Sequence, residues 1–229
     1  METGIALAKK VAGQKAVEYI KAGMTVGLGT GSTAWWAIQE IGARVKAGLD
    51  INAIATSDQS YELAVALQIP LITFEEITQI DVDIDGADEV DRQLQLIKGG
   101  GGALLREKII AAASQQMIVA VDEHKLVDTL GKFPLPVEVV VFGWEMTARK
   151  LAALGTQTVL REKNGQPFIT DNGNYIIDCA FNAITDPATL HTRLNAIPGV
   201  AENGLFVNYA HTVIVGYENG TVNTLYPAR

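Results

Sequence analysis

MTVGLGTGSTAWWAIQEIGARVK, residues 24–46, reads as a strand, a glycine-rich turn and a helix in direct succession. Met24 to Gly29 is a short buried strand, Thr30-Gly31-Ser32-Thr33 a loop, and the helix runs to about Lys46, where Gly48 stops it. The same order continues outward. Ile51–Ala55 is a strand, Thr56-Ser57-Asp58 opens a helix to Leu67, Leu71–Phe74 and Ile80–Asp85 are strands, and Leu94–Lys98 is another. A helix Leu104–Ser114 and a strand Met117–Val121 complete the series. Strands alternating with helices of about ten to fifteen residues predict βαβ units and a parallel sheet. Ligands of such sheets sit at the carboxyl ends of the strands. The loops Thr30–Thr33, Asp85–Asp88, Lys98–Gly102 and Asp122–Lys125 all follow strands, so they are expected on one edge. Upstream, METGIALAKKVAGQKAVEYIKAG reads as an amphipathic helix from near Thr3 to Gly23 and lacks the apolar core of a secretory signal.

Near Gly131 the pattern changes. A strand in GKFPLPVEVVVFG, a helix Trp144–Leu154, two strands with turns at Asn164-Gly165 and Asp171-Asn172-Gly173, and a helix Pro187–Asn195 predict a small α+β domain. Its order resembles the ferredoxin-like split βαβ. Strands Thr212–Tyr217 and Thr221–Leu225, joined at Asn219-Gly220, are placed back with the first domain. The expected division is therefore residues 1–130 with 204–229, and residues 131–203.

The 229 residues, 48% hydrophobic and 19% charged, have the composition of a globular protein. A net charge of −8 without a basic cluster argues against nucleic acid. No apolar run approaches the roughly 20 residues of a membrane span. The single cysteine, Cys179, allows no intrachain disulfide, which fits a reducing compartment, and a cytoplasmic location is expected.

Four glycines follow Lys98 and precede an apolar helix in LIKGGGGALLREK, residues 96–108. Each gives up more backbone freedom on folding than any other residue. Their placement suits backbone N–H groups that approach an anion closely, with a flexible loop as the rival reading. Glu107 has Ala103, Leu104, Ile110 and Ala111 as helical neighbours. It is either exposed in a frayed first turn or held in a pocket for acid–base work. GLGTGST, residues 27–33, is neither a dinucleotide fingerprint, since Ser32 stands at the third glycine position, nor a Walker A loop, since no Gly-Lys pair is present. Glycine backbone and three hydroxyls at a helix start suit a phosphate monoester; the competing reading is a tight turn in which Ser32 or Thr33 caps the helix.

In DVDIDGADEVD, residues 81–91, Asp81, Asp83 and Asp85 share one strand face. The likeness to a calcium loop fails at Arg92, which stands where the bidentate Glu belongs. The likeness to an aspartyl phosphatase, with Asp83 as nucleophile, meets Ala87 where Thr is required. His124, His191 and His211 lack metal-ligand spacing, and Cys179 reads as packing.

GLGTGST, DIDGADE, LIKGGGGALLREKI, GKFPLPVEVV, ITDNGN and NAIPGV followed by ENGLF run in order through nearly the whole chain. Together they resemble ribose-5-phosphate isomerase of the A type. The resemblance implies an α/β fold with a Rossmann-like parallel-sheet domain and a smaller α+β domain expected to carry the oligomer contact. It also implies a homodimer, with a tetramer possible, and no metal or organic cofactor. By motif position, Thr30, Gly31, Ser32, Thr33, Asp85, Gly86, Ala87, Asp88, Lys98, Gly99, Gly100 and Gly101 bind the sugar phosphate. Glu107 corresponds to the proton-transferring base, and Lys125 and Lys9 to substrate-contacting lysines. His124 departs from the family, which more often has a small hydroxyl residue before the lysine.

Moving a proton between C1 and C2 of ribose 5-phosphate and ribulose 5-phosphate, a step of the non-oxidative pentose phosphate pathway, passes through an enediolate. Glu107 suits that transfer. Lys98 and the glycine N–H groups are candidates to hold the oxyanion, and Asp85 or Asp88 to relay the proton that opens the furanose. Two other classes remain open at this point: a sugar-phosphate-sensing effector domain, which needs no Glu107, and the magnesium-dependent phosphatase.

Overall fold

A computed structural model describes residues 3–227. Its strands, in chain order, are β1 (Thr25–Leu28), β2 (Asn52–Ala55), β3 (Ile80–Asp85), β4 (Glu89–Val90), β5 (Leu96–Ile97), β6 (Ser114–Asp122), β7 (Leu135–Val139) and β8 (Gln157–Leu160). There follow β9 (Glu162–Lys163), β10 (Gln166–Pro167), β11 (Tyr175–Ala180), β12 (Val200–Asn203), β13 (Leu205–Phe206), β14 (Thr212–Gly216) and β15 (Val222–Leu225). The helices are α1 (Ile5–Ala16), α2 (Ser32–Lys46), α3 (Asp58–Ala66), α4 (Leu104–Ala113), α5 (Trp144–Ala152) and α6 (Pro187–Asn195). Among the described residues they form two units: residues 3–87, 106–126 and 208–227, and residues 88–105 with 127–207.

The first unit is built on a six-stranded sheet in the order β15-β14-β6-β3-β1-β2. Every pair is parallel except β14 with β15. Strands buried on both faces need apolar side chains throughout, and all four residues of β1 and the last six of β6 are buried. Val26, Leu28, Val82 and Ile84 face α1, α2 and α3, packing with Ala12, Ala16, Ile38, Ile41 and Ala64. Gly13 lets α1 come close to α2: a Cβ there would lie 2.9 Å from Thr33 O and from Ala37 N. The opposite face presents Gly27, Gly29, Asp83 and Asp85, and α4 lies on it with Ile110 against Gly27. From β1 the chain crosses to β2 on one side and afterwards to β3 on the other, so the carboxyl ends of β1 and β3 diverge at a topological switch point.

In the second unit β7, α5, β8, β11, α6 and β12 come in that order along the chain, with the β9–β10 hairpin between β8 and β11, and the sheet order is β12-β7-β11-β8, all neighbours antiparallel. This is the ferredoxin-like arrangement expected from the sequence. Leu151 of α5 and Leu194 of α6 cover Leu135, Val137, Val139, Ile177 and Cys179. At Asn164 (φ 57°) and Gly165 (φ 74°) the chain makes the tight two-residue turn that joins β9 to β10.

Three expectations are corrected. Leu71–Phe74 is not a strand: Leu71 makes one parallel bridge to Ala53, and Thr73 and Glu76 close a capping box that winds Phe74–Glu76 into a 3₁₀ turn. The strand at Leu94–Lys98 shrinks to β5, which pairs antiparallel with β4 and β13 in a three-stranded sheet of its own, so Lys98–Gly102 does not leave the parallel sheet. Residues 88–105 cluster with the second unit, because Ile97 packs with Leu130, Leu135 and Leu205 in that unit's core. A fourth strand, β12, follows α6; its sequence, VAEN, carries too little apolar pattern to announce it.

Candidate active site

At the β1 end, glycine makes room for carboxylates. A Cβ on Gly29 would lie 2.2 Å from Asp85 Oδ1, and one on Gly27 2.7 Å from Asp83 Oδ1. The register explains this, since Gly27 sits opposite Asp83 across β1 and β3. Both aspartates have no exposed surface. Asp85 Oδ1 accepts the N–H of Thr30 (3.0 Å) and of Gly86 (2.7 Å), tying the loop after β1 to the loop after β3. Asp81, half-buried, accepts Thr25 N–H at 2.8 Å.

The turn that follows leaves the start of α2 open. Gly31, at φ 105°, is the N-cap of α2 and no side chain caps the helix, so neither Ser32 nor Thr33 takes the capping role. The first-turn N–H groups and the positive end of a 15-residue helix therefore point out of its start. Lys9 of α1 reaches it, its Nζ donating to Ser32 Oγ at 3.0 Å. The Thr30 hydroxyl turns away into a hydroxyl cluster, 2.7 Å from Thr56 Oγ1 and Ser57 Oγ and 3.2 Å from Ser60 Oγ. Thr30 thus shapes the turn through both its N–H and its side chain. The cluster Thr56, Ser57 and Ser60 was not singled out on sequence, although two hydroxyls directly after a strand and a third in the first turn of the next helix were its signal.

Glu107 lies in the first turn of α4 and is only 4% exposed. A helix that connects parallel strands runs antiparallel to them, so its first turn lies at their carboxyl edge. Ile110, one turn on, packs against Gly27 on the aspartate face of the sheet. Of the two readings of Glu107, the frayed exposed turn is excluded. Its neighbours differ from a solvated pair as well: Lys108 is 4% exposed, and Arg106 bonds Asp58 Oδ1 at 2.7 Å. Lys125 ends the 3₁₀ turn after β6, on the same sheet edge, with Asp122 accepting His124 N–H at 3.1 Å. His124 Nε2 lies 3.0 Å from Glu218 Oε1, and this hydrogen bond holds the imidazole above its ordinary pKa.

The second unit carries Asp88, Lys98 and the glycine run. Lys98 is 2% exposed, its N–H bound to Gly204 O at 2.9 Å and its ammonium 5.6 Å from the Phe206 ring. Gly100 donates its N–H to Asp88 Oδ2 at 2.7 Å, and a Cβ there would meet that carboxylate at 2.6 Å. Gly102 donates to Gly99 O at 3.0 Å. Glu89, next to Asp88 in the motif, is structural: it accepts Gly131 N–H at 2.7 Å and Phe133 N–H at 2.5 Å. Cys179 is buried and its thiol is pushed up to about 12, chiefly by burial and then by the charge of Asp178, so it is no nucleophile. Among the described residues no three His, Cys, Asp or Glu side chains converge as metal ligands, and no helix is long and apolar enough to cross a membrane.

Residues 52–220 match the family model for ribose 5-phosphate isomerase A (phosphoriboisomerase A). The chain is 56% identical over 213 residues to ribose-5-phosphate isomerase A of Bacillus cereus (strain ATCC 10987 / NRS 248), covering 93% of this chain and 97% of that protein. It is 51% identical over 220 residues to that of Parvibaculum lavamentivorans (strain DS-1 / DSM 13023 / NCIMB 13966), covering 93% and 95%. Among solved structures, ribose 5 phosphate isomerase A from Neisseria gonorrhoeae superposes with a TM-score of 0.92 at 42% identity, over 100% of both chains. A D-ribose-5-phosphate isomerase in complex with phospho-erythronic acid gives 0.93 at 43% identity, over 99% and 100%. With a carboxylate buried in the first turn of α4, an uncapped helix start with a lysine beside it, and likeness of this extent, the chain belongs to the ribose 5-phosphate isomerase A family of aldose-ketose isomerases.

Proposed function

We propose that the chain interconverts ribose 5-phosphate and ribulose 5-phosphate through an enediolate, with Glu107 as the base that carries the proton between C1 and C2. The observation that carries this reading is Glu107 itself, 4% exposed in the first turn of α4, the helix that packs against the Gly27–Asp83 face. A positioned carboxylate of this kind contributes about 10²–10⁴-fold to a proton transfer. The start of α2, with Ser32, Thr33 and Lys9, takes the phosphate; Lys125 adds a second cation. Lys98 stabilises the developing oxyanion. Asp85 or Asp88 relays the proton of ring opening. The binding of phospho-erythronic acid by a related isomerase fits the same chemistry, because its carboxylate spreads charge over two oxygens as an enediolate does. Two copies are proposed to associate through the second unit, where Phe142 is 93% exposed and Val140, Val141 and Met146 are exposed beside it in sequence; sedimentation as a single-chain species would remove that part.

The test is Glu107→Gln, assayed with ribose 5-phosphate in D2O by NMR. The parent protein is expected to form ribulose 5-phosphate carrying solvent deuterium. The variant is expected to bind phosphate esters normally and to lose at least about 10²-fold in turnover. Turnover within a few-fold of the parent ends the assignment of Glu107.

A further inference from the structure

Arg161 joins β8 to β9 and is fixed on both sides of its own backbone: its N–H donates to Ile176 O and its carbonyl accepts Phe168 N–H, each at 2.8 Å. Its side chain is 15% exposed, and the guanidinium grips Asp178 of β11 with two bonds, Nε to Oδ2 at 2.9 Å and Nη2 to Oδ1 at 2.5 Å. The remaining nitrogen, Nη1, donates to Gly99 O at 2.8 Å and Gly100 O at 3.2 Å. The fork of an arginine thus holds two successive carbonyls of the run that follows Lys98.

Peptide geometry carries the consequence. The described residues contain no cis peptide bond, and in a trans peptide the N–H points opposite to the C=O. Drawing Gly99 O toward Arg161 turns the Gly100 N–H away, and that N–H is the one bound by Asp88 at 2.7 Å. Drawing Gly100 O the same way turns the Gly101 N–H away from the guanidinium. A cation at both carbonyls also polarises both peptides, making their N–H groups stronger donors.

We propose that Arg161, braced by Asp178, is a positioning residue for the isomerase reaction: it sets the Lys98–Gly101 run with the Gly101 N–H presented as an anion donor and Asp88 locked on Gly100. The inference rests on the reading of that run as substrate-binding. A lysine cannot replace the fork, because one ammonium cannot hold a carboxylate by two parallel bonds and reach two carbonyls as well.

The experiment compares Arg161→Lys, Arg161→Ala and Asp178→Asn with the parent and with Lys98→Ala, at equal folded concentration by circular dichroism. The expected result is a fall in kcat of about 10–100-fold for the Arg161 variants, the scale of losing a supporting contact behind a reacting group, with KM changed less than about three-fold. Guanidinium ion at tens of millimolar restores part of kcat to Arg161→Ala, and ammonium ion does not. Arg161→Lys or Asp178→Asn lowering the melting temperature while kcat stays at the parent value overturns the inference, because the pair is then only a brace. If Arg161→Ala folds poorly, Arg161→Lys decides by the same split between kcat and KM. Lys98→Ala separates the two levels: if it too is fully active, the reading of the glycine run falls, and if it alone is impaired, only the role of Arg161 falls.

Discussion

Replacing Gly29 by alanine sets the architecture of the site against its own packing. The added methyl would lie 2.2 Å from Asp85 Oδ1, 2.4 Å from Cγ and 2.5 Å from Cα. Rotating the carboxylate relieves the first two contacts and leaves the third, which belongs to the backbone. Restoring an ordinary carbon–carbon separation of about 3.5 Å means parting β1 from β3 by about 1 Å. That stretches the Gly29 N–H to Ile84 O bond, now 2.9 Å, and pulls Asp85 off Thr30 or Gly86. Overpacking costs about 1–3 kcal/mol, and one hydrogen bond to a charged group about 1.5–3 kcal/mol more. A total of about 3–5 kcal/mol lowers the melting temperature by about 6–20 °C in a chain of this size. Circular dichroism of Gly29→Ala beside Gly86→Ala measures it. Gly86 lies across the same hydrogen bond, yet a Cβ there meets nothing nearer than Ala120 O at 3.7 Å, so that control should melt within about 0.5 kcal/mol of the parent. A Gly29→Ala protein melting like its control would show that the carboxylate does not depend on the missing side chain.

Asp85→Asn keeps an oxygen to accept Thr30 and Gly86, so it should fold while losing most turnover; Asp83→Asn, buried beneath Gly27, should change the melting temperature and leave turnover within a few-fold. An inactive, fully folded Asp83→Asn beside an active Asp85→Asn would place the chemistry on the wrong carboxylate. His124 titrates above its ordinary value in the folded state because of Glu218, so its contribution to stability is present in full below the ordinary value of about 6.5 and fades as pH rises through the raised one. His124→Gln should therefore melt below the parent at about pH 5.5 and with it at about pH 8.5; a gap that widens with pH would contradict the pairing.

Much of this was legible in the chain. Gly48 at the end of α2, and Asp186 before Pro187, whose carboxylate accepts Thr189 N–H at 3.0 Å, mark helix ends through local chemistry that needs no partner. The loops after β1, β3 and β6 followed from the alternation of strand and helix. The small sheet of β4, β5 and β13 did not, because two-residue strands carry no period to read. Nor did the burial of Asp83 and Asp85, which depends on which residues of β1 face them. Arg161 and Asp178 were silent for the same reason: their meeting is set by the register of β8 on β11, where Asp178 pairs with Val159.

Lys9 sits on the first helix of the chain, and that helix is seated on α2 at a point where Gly13 leaves no side chain between them. On the proposed reading, in which Lys9 and Ser32 hold the phosphate, the bound anion would fasten the two helices together, and its binding free energy would also be docking free energy for α1. If the ligand binds only when α1 is docked, loosening α1 would weaken the ligand although the disturbed residues never touch it. On that reading α1 would be a tuning element for affinity, adjustable by changes at its outer surface while the reacting groups stay untouched.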